Sequence, residues 1–332
     1  MKPSKVLMSD VAKAAGVARV TVSRVLSDPD SVAPATRAVV QEAVARLGYV
    51  PNLNAGTLAS SRSRIVGAIV PTLSNAWFAD TMDGLSKVLG AAGYQLLLGQ
   101  TGYDADAEEK LVDAFLGRRV DAMVLTGTTH TAGVRTKLQK AGIPTAECWD
   151  LCDDPIDMVV GFSNEAAGEA VAVHLLAQGR RRFGFLGADE DRARKRLQGY
   201  RAAIARAGAG EVTTHSAAPP TSIDDGAAGL AQLLTVEPRL QAVFCSNDTL
   251  AMGALLECRR RGLAVPGDLS VVGFSDLPVA AACVPPLTTV RIASRELGER
   301  VGQLLARRMR REPDEVPRIH DLGFTLAVRE SG

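Results

Sequence analysis

At 332 residues, with 46% hydrophobic residues and a formal net charge of +1, the chain can bury a large core and divide into two or three domains, which excludes wholesale disorder. No apolar run approaches the roughly 20 residues of a membrane span, and MKPSKVLMSD lacks the apolar stretch of a secretory signal, so a cytosolic protein with no membrane partner is expected. Five cysteines (Cys148, Cys152, Cys245, Cys258 and Cys283) are scattered and odd in number, which suits reduced thiols, and with no second Cys or His pair beside Cys148 and Cys152 no metal site is expected.

The near-neutral total hides an uneven distribution. Residues 1–64 carry nine Lys and Arg against four Asp and Glu, a net +5, which leaves −4 for the rest. A basic head on an acidic body is expected where only the head meets a polyanion, because phosphate neutralisation supplies much of the affinity for DNA. Chance surface charge gives the same sum.

The head reads as three short helices. Ser9 is placed to cap the first, with Asp10 against its positive end, and Gly16 stops it. The second spans about Val20 to Ser27 and is stopped by Asp28-Pro29-Asp30. The third fits Pro34 to Leu47, with proline in its first turn and Gly48 past its end. Ala12, Gly16 and Val22 supply a small residue at a helix contact, a turn residue that tolerates positive φ, and a β-branched residue facing inward, which is the helix-turn-helix pattern. The outer face of the second helix then carries Arg19, Val20, Thr21, Ser23 and Arg24. In such a motif the N-terminal residues of the second helix reach base edges, so Arg19 and Val20 are assigned to base reading and Thr21, Ser23 and Arg24 to phosphate or mixed contacts. A solvated helix face is the alternative.

The run DVAKAAGVARVTVSRVL, followed by VAPATRAVVQEAVARLGYVPNLNAGTLA, resembles the head of the lac repressor family of bacterial transcription regulators. That resemblance implies a hinge helix over Pro51 to Ala59 that folds on the operator, placing Asn52, Ala55 and Leu58 against DNA with Leu58 in the minor groove. The residues agree with partner-dependent folding: the segment is too short for a stable isolated helix, and Gly56 costs it about 1 kcal/mol relative to alanine. Gly56 departs from the bulkier residue expected there. An ordinary linker is the competing reading.

After residue 64 the texture changes. Short apolar runs (IVGAIVP, 65–71; YQLLLGQ, 94–100; VDAMVLTG, 120–127; FGFLGAD, 183–189; LQAVFCSND, 240–248; LSVVGFSD, 269–276) alternate with amphipathic segments such as Phe78 to Gly93, Glu108 to Arg118, Ala166 to Gln178 and Asp248 to Arg261. Doubly buried strands alternating with helices predict parallel α/β sheets. Asn164 and Asp248 are expected as helix caps. Thr126 to Thr129, Ser246-Asn247-Asp248 and Ser275-Asp276 follow strands, where open α/β sheets bind ligands, although each also reads as a loop starter or cap.

The body resembles the periplasmic sugar-binding-protein fold of the same regulators. This implies a head over 1–50, a hinge and linker over 51–64, and an effector-binding, dimerising body over 65–332. Its N-subdomain is expected at about 65–162 plus 292–324, and its C-subdomain at about 163–291 plus 325–332. The resemblance carries effector roles to Asn75, Phe78, Thr126, Asp150, Arg196, Asn247, Ser275 and Asp276. Many sugar-binding members have an acid where this chain has Ser275, and its loss makes the cleft less negative. Arg196 can clamp a carboxylate or phosphate through two bonds, whereas most of Arg192, Arg194, Lys195 and Arg201 are expected at the surface. LTGTTHT, IPTAECWD, DMVVGFSN and HDLGFTL resemble the gluconate-utilisation repressors in particular, adding Glu147 and, secondarily, His130.

The resemblance implies a homodimeric repressor of a pseudo-palindromic operator, released by a sugar acid such as gluconate or its phosphorylated form; a repressor that responds to a neutral sugar, or acts by corepression, is the alternative. No heptad pattern follows Gly323, which favours a dimer over a tetramer. Neither GxxxxGK[ST] nor a GxGxxG after a strand is present, and His174 and His215 have no nucleophile constellation, so neither a catalytic site nor a cofactor is expected.

Overall fold

The computed structural model describes residues 6–50, 62–312 and 317–332. The chain divides into two compact units at the Ser63–Arg64 boundary. Among the described residues no helix is long and apolar enough to cross a membrane.

The first unit holds α1 (Met8–Ala15), α2 (Arg19–Ser27) and α3 (Pro34–Leu47). Ser9 lies inside the first turn of α1 and does not cap it. The cap is Leu7, whose backbone N–H donates to the Asp10 carboxylate at 2.8 Å. Gly16 ends α1 at φ 65°, a left-handed conformation that glycine adopts without a Cβ penalty, and Val17 N–H closes the turn onto Ala12 O at 3.0 Å. α2 begins at Arg19, one residue before its expected start, and α3 has the limits its proline and glycine predict. Val11, Ala12, Val22, Val25, Val40, Ala43 and Tyr49 form the buried centre.

The second unit contains two six-stranded sheets of matching design. The first has the order β2–β1–β3–β4–β5–β11, from β1 (Ile65–Val70), β2 (Gln95–Gln100), β3 (Ala122–Thr126), β4 (Thr145–Cys148), β5 (Met158–Gly161) and β11 (Ile319–Asp321). The second has the order β7–β6–β8–β9–β10–β12, from β6 (Phe183–Ala188), β7 (Val212–Ala217), β8 (Ala242–Cys245), β9 (Ser270–Ser275), β10 (Thr288–Arg291) and β12 (Thr325–Ala327). All neighbours are parallel except β10 and β12. The central strands are buried except at single end residues (Ile65, Thr126 and Arg291) and the edge strands β2 and β7 are not, as expected where helices cover both faces of each sheet.

The connecting helices are α4 (Ala76–Ala91), α5 (Ala105–Gly117), α6 (Ala132–Ala141), α7 (Asn164–Ala177), α8 (Asp191–Arg206), α9 (Ile223–Val236), α10 (Asp248–Arg261) and α11 (Ser294–Met309). The caps of α7 and α10 sit one residue before their expected positions: Ser163 Oγ accepts from Ala166 N–H at 3.0 Å and Asn247 Oδ1 from Leu250 N–H at 2.9 Å. Asn164 and Asp248 are thereby freed for buried polar roles. Gly168 of α7 and Gly199 of α8 let these two helices touch backbone to backbone, since a Cβ on Gly168 would overlap the carbonyl oxygen of Arg196 and one on Gly199 that of Glu165. The chain passes between the sheets three times: from β5 into α7, from β10 into α11, which packs on α4, and from β11 into β12.

Candidate functional site

In the head, Val22 and Val25 point into the core, which turns the opposite face of α2 outward. Arg19, Ser23 and Arg24 are exposed, Thr21 is half-buried, and Val20 is 64% exposed. An exposed aliphatic side chain beside a guanidinium suits a surface that meets both a thymine methyl and a guanine edge. Asn52, Ala55 and Leu58 lie outside the described residues.

In the body, strand order reverses at β1/β3 and at β6/β8, and the loops after these strands open onto one cleft at the carboxyl ends of both sheets. Its inner part, about 410 Å³, is lined by Asn75, Phe78, Arg196, Asn247 and Ser275, together with Tyr103, Glu190 and Arg192. Its outer part, about 810 Å³, reaches Thr126, Thr128 and Asp150 and shares Tyr103, Glu190 and Arg192 with the inner one.

Arg196 is the centre of the inner part. Only 6% exposed, it donates from Nη1 to Asn164 Oδ1 at 2.6 Å and from Nη2 to Glu190 Oε1 at 3.2 Å, with its Cζ 4.1 Å from the Phe274 ring centroid. Asn164 in turn donates to Asp150 Oδ1 at 3.0 Å, tying the two sheets' loops together. Burial lowers the Arg196 pKa to about 10, which leaves it charged at neutral pH.

Most of the basic neighbours of Arg196 are expected at the surface, and Arg192 is the one that is buried. Arg194 and Arg201 are exposed and Lys195 is half-buried, while Arg192 stands 3.0 Å from Glu190 Oε2 and 5.3 Å from the Phe78 centroid. Glu190 thus serves both arginines while capping α8 through the N–H groups of Arg192 and Ala193 at 3.2 and 2.8 Å. Burial alone would raise its pKa; the two guanidinium groups and the helix donors outweigh this and hold it below the usual carboxylate value.

The remaining candidates have separate places. Asn75 Nδ2 donates to the Tyr103 hydroxyl at 3.2 Å, and Asn247 Nδ2 to Thr221 Oγ1 at 3.0 Å. Thr126 Oγ1 donates to Ile69 O at 3.1 Å, and Asp150 is ion-paired with Lys195 and accepts from Thr128 Oγ1 at 3.1 Å. Ser275 is buried at φ 113° and Asp276 follows at φ 54°, backbone that side chains rarely adopt and that the surrounding structure must impose. Asp276 faces Arg291 and Arg329, at 2.5 and 2.7 Å, and is absent from the cleft lining.

Glu147 has no exposed surface and lies behind the wall of the outer cleft. It accepts from Ile156 N–H at 2.6 Å and stands 3.5 Å from His130 Nε2, while His130 Nδ1 is 3.0 Å from Glu108, which does line the cleft. Burial pulls the His130 pKa down, but its bonds to Glu108 and Glu147 win and raise it to about 9. A raised folded-state pKa makes the stabilisation complete below the unfolded value, near 6.5, and lost as pH rises through 9. Chemical denaturation of the wild type should therefore show stability falling between pH 6.5 and 9, with His130→Gln flattening that slope. An unchanged slope would remove the imidazolium from this account.

A helix-turn-helix head followed in the chain by two parallel-sheet halves around a polar cleft defines a DNA-binding regulator with a periplasmic-binding-protein-like body. Residues 7–52 match the bacterial regulatory proteins of the lacI family, and residues 172–332 match the periplasmic binding protein-like domain. The transcriptional regulator GntR of Pseudomonas aeruginosa is 38% identical over 327 residues, 98% of this chain and 95% of the relative. The structure of GntR from Chromobacterium violaceum is 41% identical with a TM-score of 0.77, covering 80% of this chain and 98% of that one. The lac repressor dimer bound to operator and an anti-inducer is 25% identical with a TM-score of 0.86, covering 99% of each chain. The chain belongs to the lacI family of bacterial regulatory proteins. These relatives are transcriptional regulators and not enzymes.

Proposed function

We propose that this regulator is a homodimeric repressor released from its operator by a gluconate-type sugar acid that binds between the two halves of the body. The observation that carries the reading is the buried arginine pair, Arg192 and Arg196, in a cleft whose other walls offer hydroxyls, amides and carboxylates suited to a polyol. Similarity to regulators named GntR supports the same class of effector.

Arg19 and Val20 are assigned to base edges, and Thr21, Ser23 and Arg24 to the phosphate backbone. Asn52, Ala55 and Leu58 are assigned to a hinge over 51–64 that is ordered by DNA. Asn75, Phe78, Thr126, Asp150, Arg196, Asn247 and Ser275 contact the effector. Glu147 acts indirectly, by holding the wall that carries His130 and Glu108, and Asp276 by holding the strand ends below Ser275. Closure of the cleft re-places the N-subdomains and unpairs the hinges, a coupling of about 1–3 kcal/mol between the two ligands. An electrophoretic shift with operator DNA and titrated gluconate tests this. Release is expected at saturating gluconate, and tighter operator binding would reverse the proposed direction.

A further inference from the structure

The charges of the cleft are sorted along its length. At the inner end, two guanidinium groups face the one carboxylate of Glu190, leaving a single positive charge uncompensated. The outer end is lined by Asp104, Glu108, Asp150, Asp189 and Asp191. Three bases answer these five acids: His130 faces Glu108, Lys195 faces Asp150, and Arg194 spans Asp189 and Asp191. The outer end therefore carries excess negative charge.

We propose that this polarity makes the cleft selective for a singly charged sugar acid held in one orientation, with Glu190 setting the charge limit at the inner end. The inference rests on the reading that the cleft takes a sugar acid. The ligand's carboxylate meets Arg192 and Arg196, and its uncharged hydroxylated end donates hydrogen bonds to the outer carboxylates.

Glu190 is pinned by two helix N–H groups and two guanidinium groups, so a ligand carboxylate shares the arginines with it instead of displacing it. One added negative charge neutralises the inner end. A second, at the far end of a six-carbon acid, would enter a region already rich in carboxylates and be repelled by them.

Gluconate and glucarate differ only in that far group, and calorimetric titration of the full-length protein with each, alongside neutral glucitol, tests the idea. Gluconate should bind wild type at least about tenfold more tightly than glucarate, and glucitol more weakly than gluconate. Glu190→Gln, whose amide oxygen still accepts from the helix, should strengthen both acids and glucarate by several-fold more. Asp191→Asn, at the half-exposed outer end, should strengthen glucarate relative to gluconate and so narrow the gap between them, and it serves as the variant of record if Glu190→Gln does not fold. Glucarate binding wild type as tightly as gluconate, or neither substitution narrowing the gap, overturns the charge limit while leaving the sugar-acid reading intact. Binding of glucitol without either acid, or of none of the three, overturns both.

Discussion

Arg196→Met should give a repressor that binds its operator normally and no longer lets go. The substitution keeps much of the side chain's packing against Phe274 but removes the donors to Asn164 and Glu190 and half of the guanidinium pair offered to an effector carboxylate. Truncating one member of a buried, hydrogen-bonded charge pair costs about 2–5 kcal/mol. Effector affinity should therefore fall by at least about 25-fold, since each 1.4 kcal/mol is about a factor of ten. Folding survives because Glu190 keeps Arg192 and two helix N–H groups as partners. Arg201→Met, on the exposed face of the same helix, should change neither property. Calorimetry with gluconate and a gel shift with operator check the two halves separately, and retained release by gluconate would remove Arg196 from the effector site.

Gly168→Ala should be the most damaging of the conservative changes in the body. Alanine in a helix interior ordinarily gains about 1 kcal/mol over glycine. Here its Cβ would meet the backbone oxygen of Arg196, which no rotamer change can move aside, so α7 and α8 must separate. Overpacking of this kind costs about 1–3 kcal/mol, occasionally more, and a backbone contact falls at the upper end. The net loss is about 2 kcal/mol, or roughly 5 °C in the melting temperature of a unit this size. The effector response should weaken as well, because the displaced carbonyl belongs to Arg196. Gly90→Ala in α4, where a Cβ meets nothing within 4 Å, is the control and should be neutral or stabilising. A thermal melt in which both variants behave alike would refute the close helix crossing.

The head was legible in the sequence because its signals are local: a glycine at a left-handed turn, a proline in a first turn and a valine that faces inward are decided within a few residues. The caps were read one residue late in Ser163-Asn164 and Asn247-Asp248 because both members of each pair can accept from the helix, and only tertiary partners decide which one does. Glu147 was legible as a family position but not in its role. Its strand is buried on both faces, so no alternation shows where its side chain goes.

Arg192 was missed although a signal existed. Ile204, Tyr200 and Arg196 lie four residues apart on the buried stripe of α8, and one more step of four reaches Arg192. The density of charge in DRARKR hid that phase. Glu190 sits just before the helix, where period carries no information, and its function depends on two arginines that only the folded α8 brings to it.

The triple passage of the chain between the sheets bears on how such a molecule can carry a message. Three neighbouring tethers oppose sliding and twisting of one half against the other far more than they oppose bending. The body is thereby left with essentially one soft coordinate, an angle. A ligand of the right shape need only choose a value of that angle, and each half can deliver the choice as a rigid lever, with no part of its own core rearranged in transit.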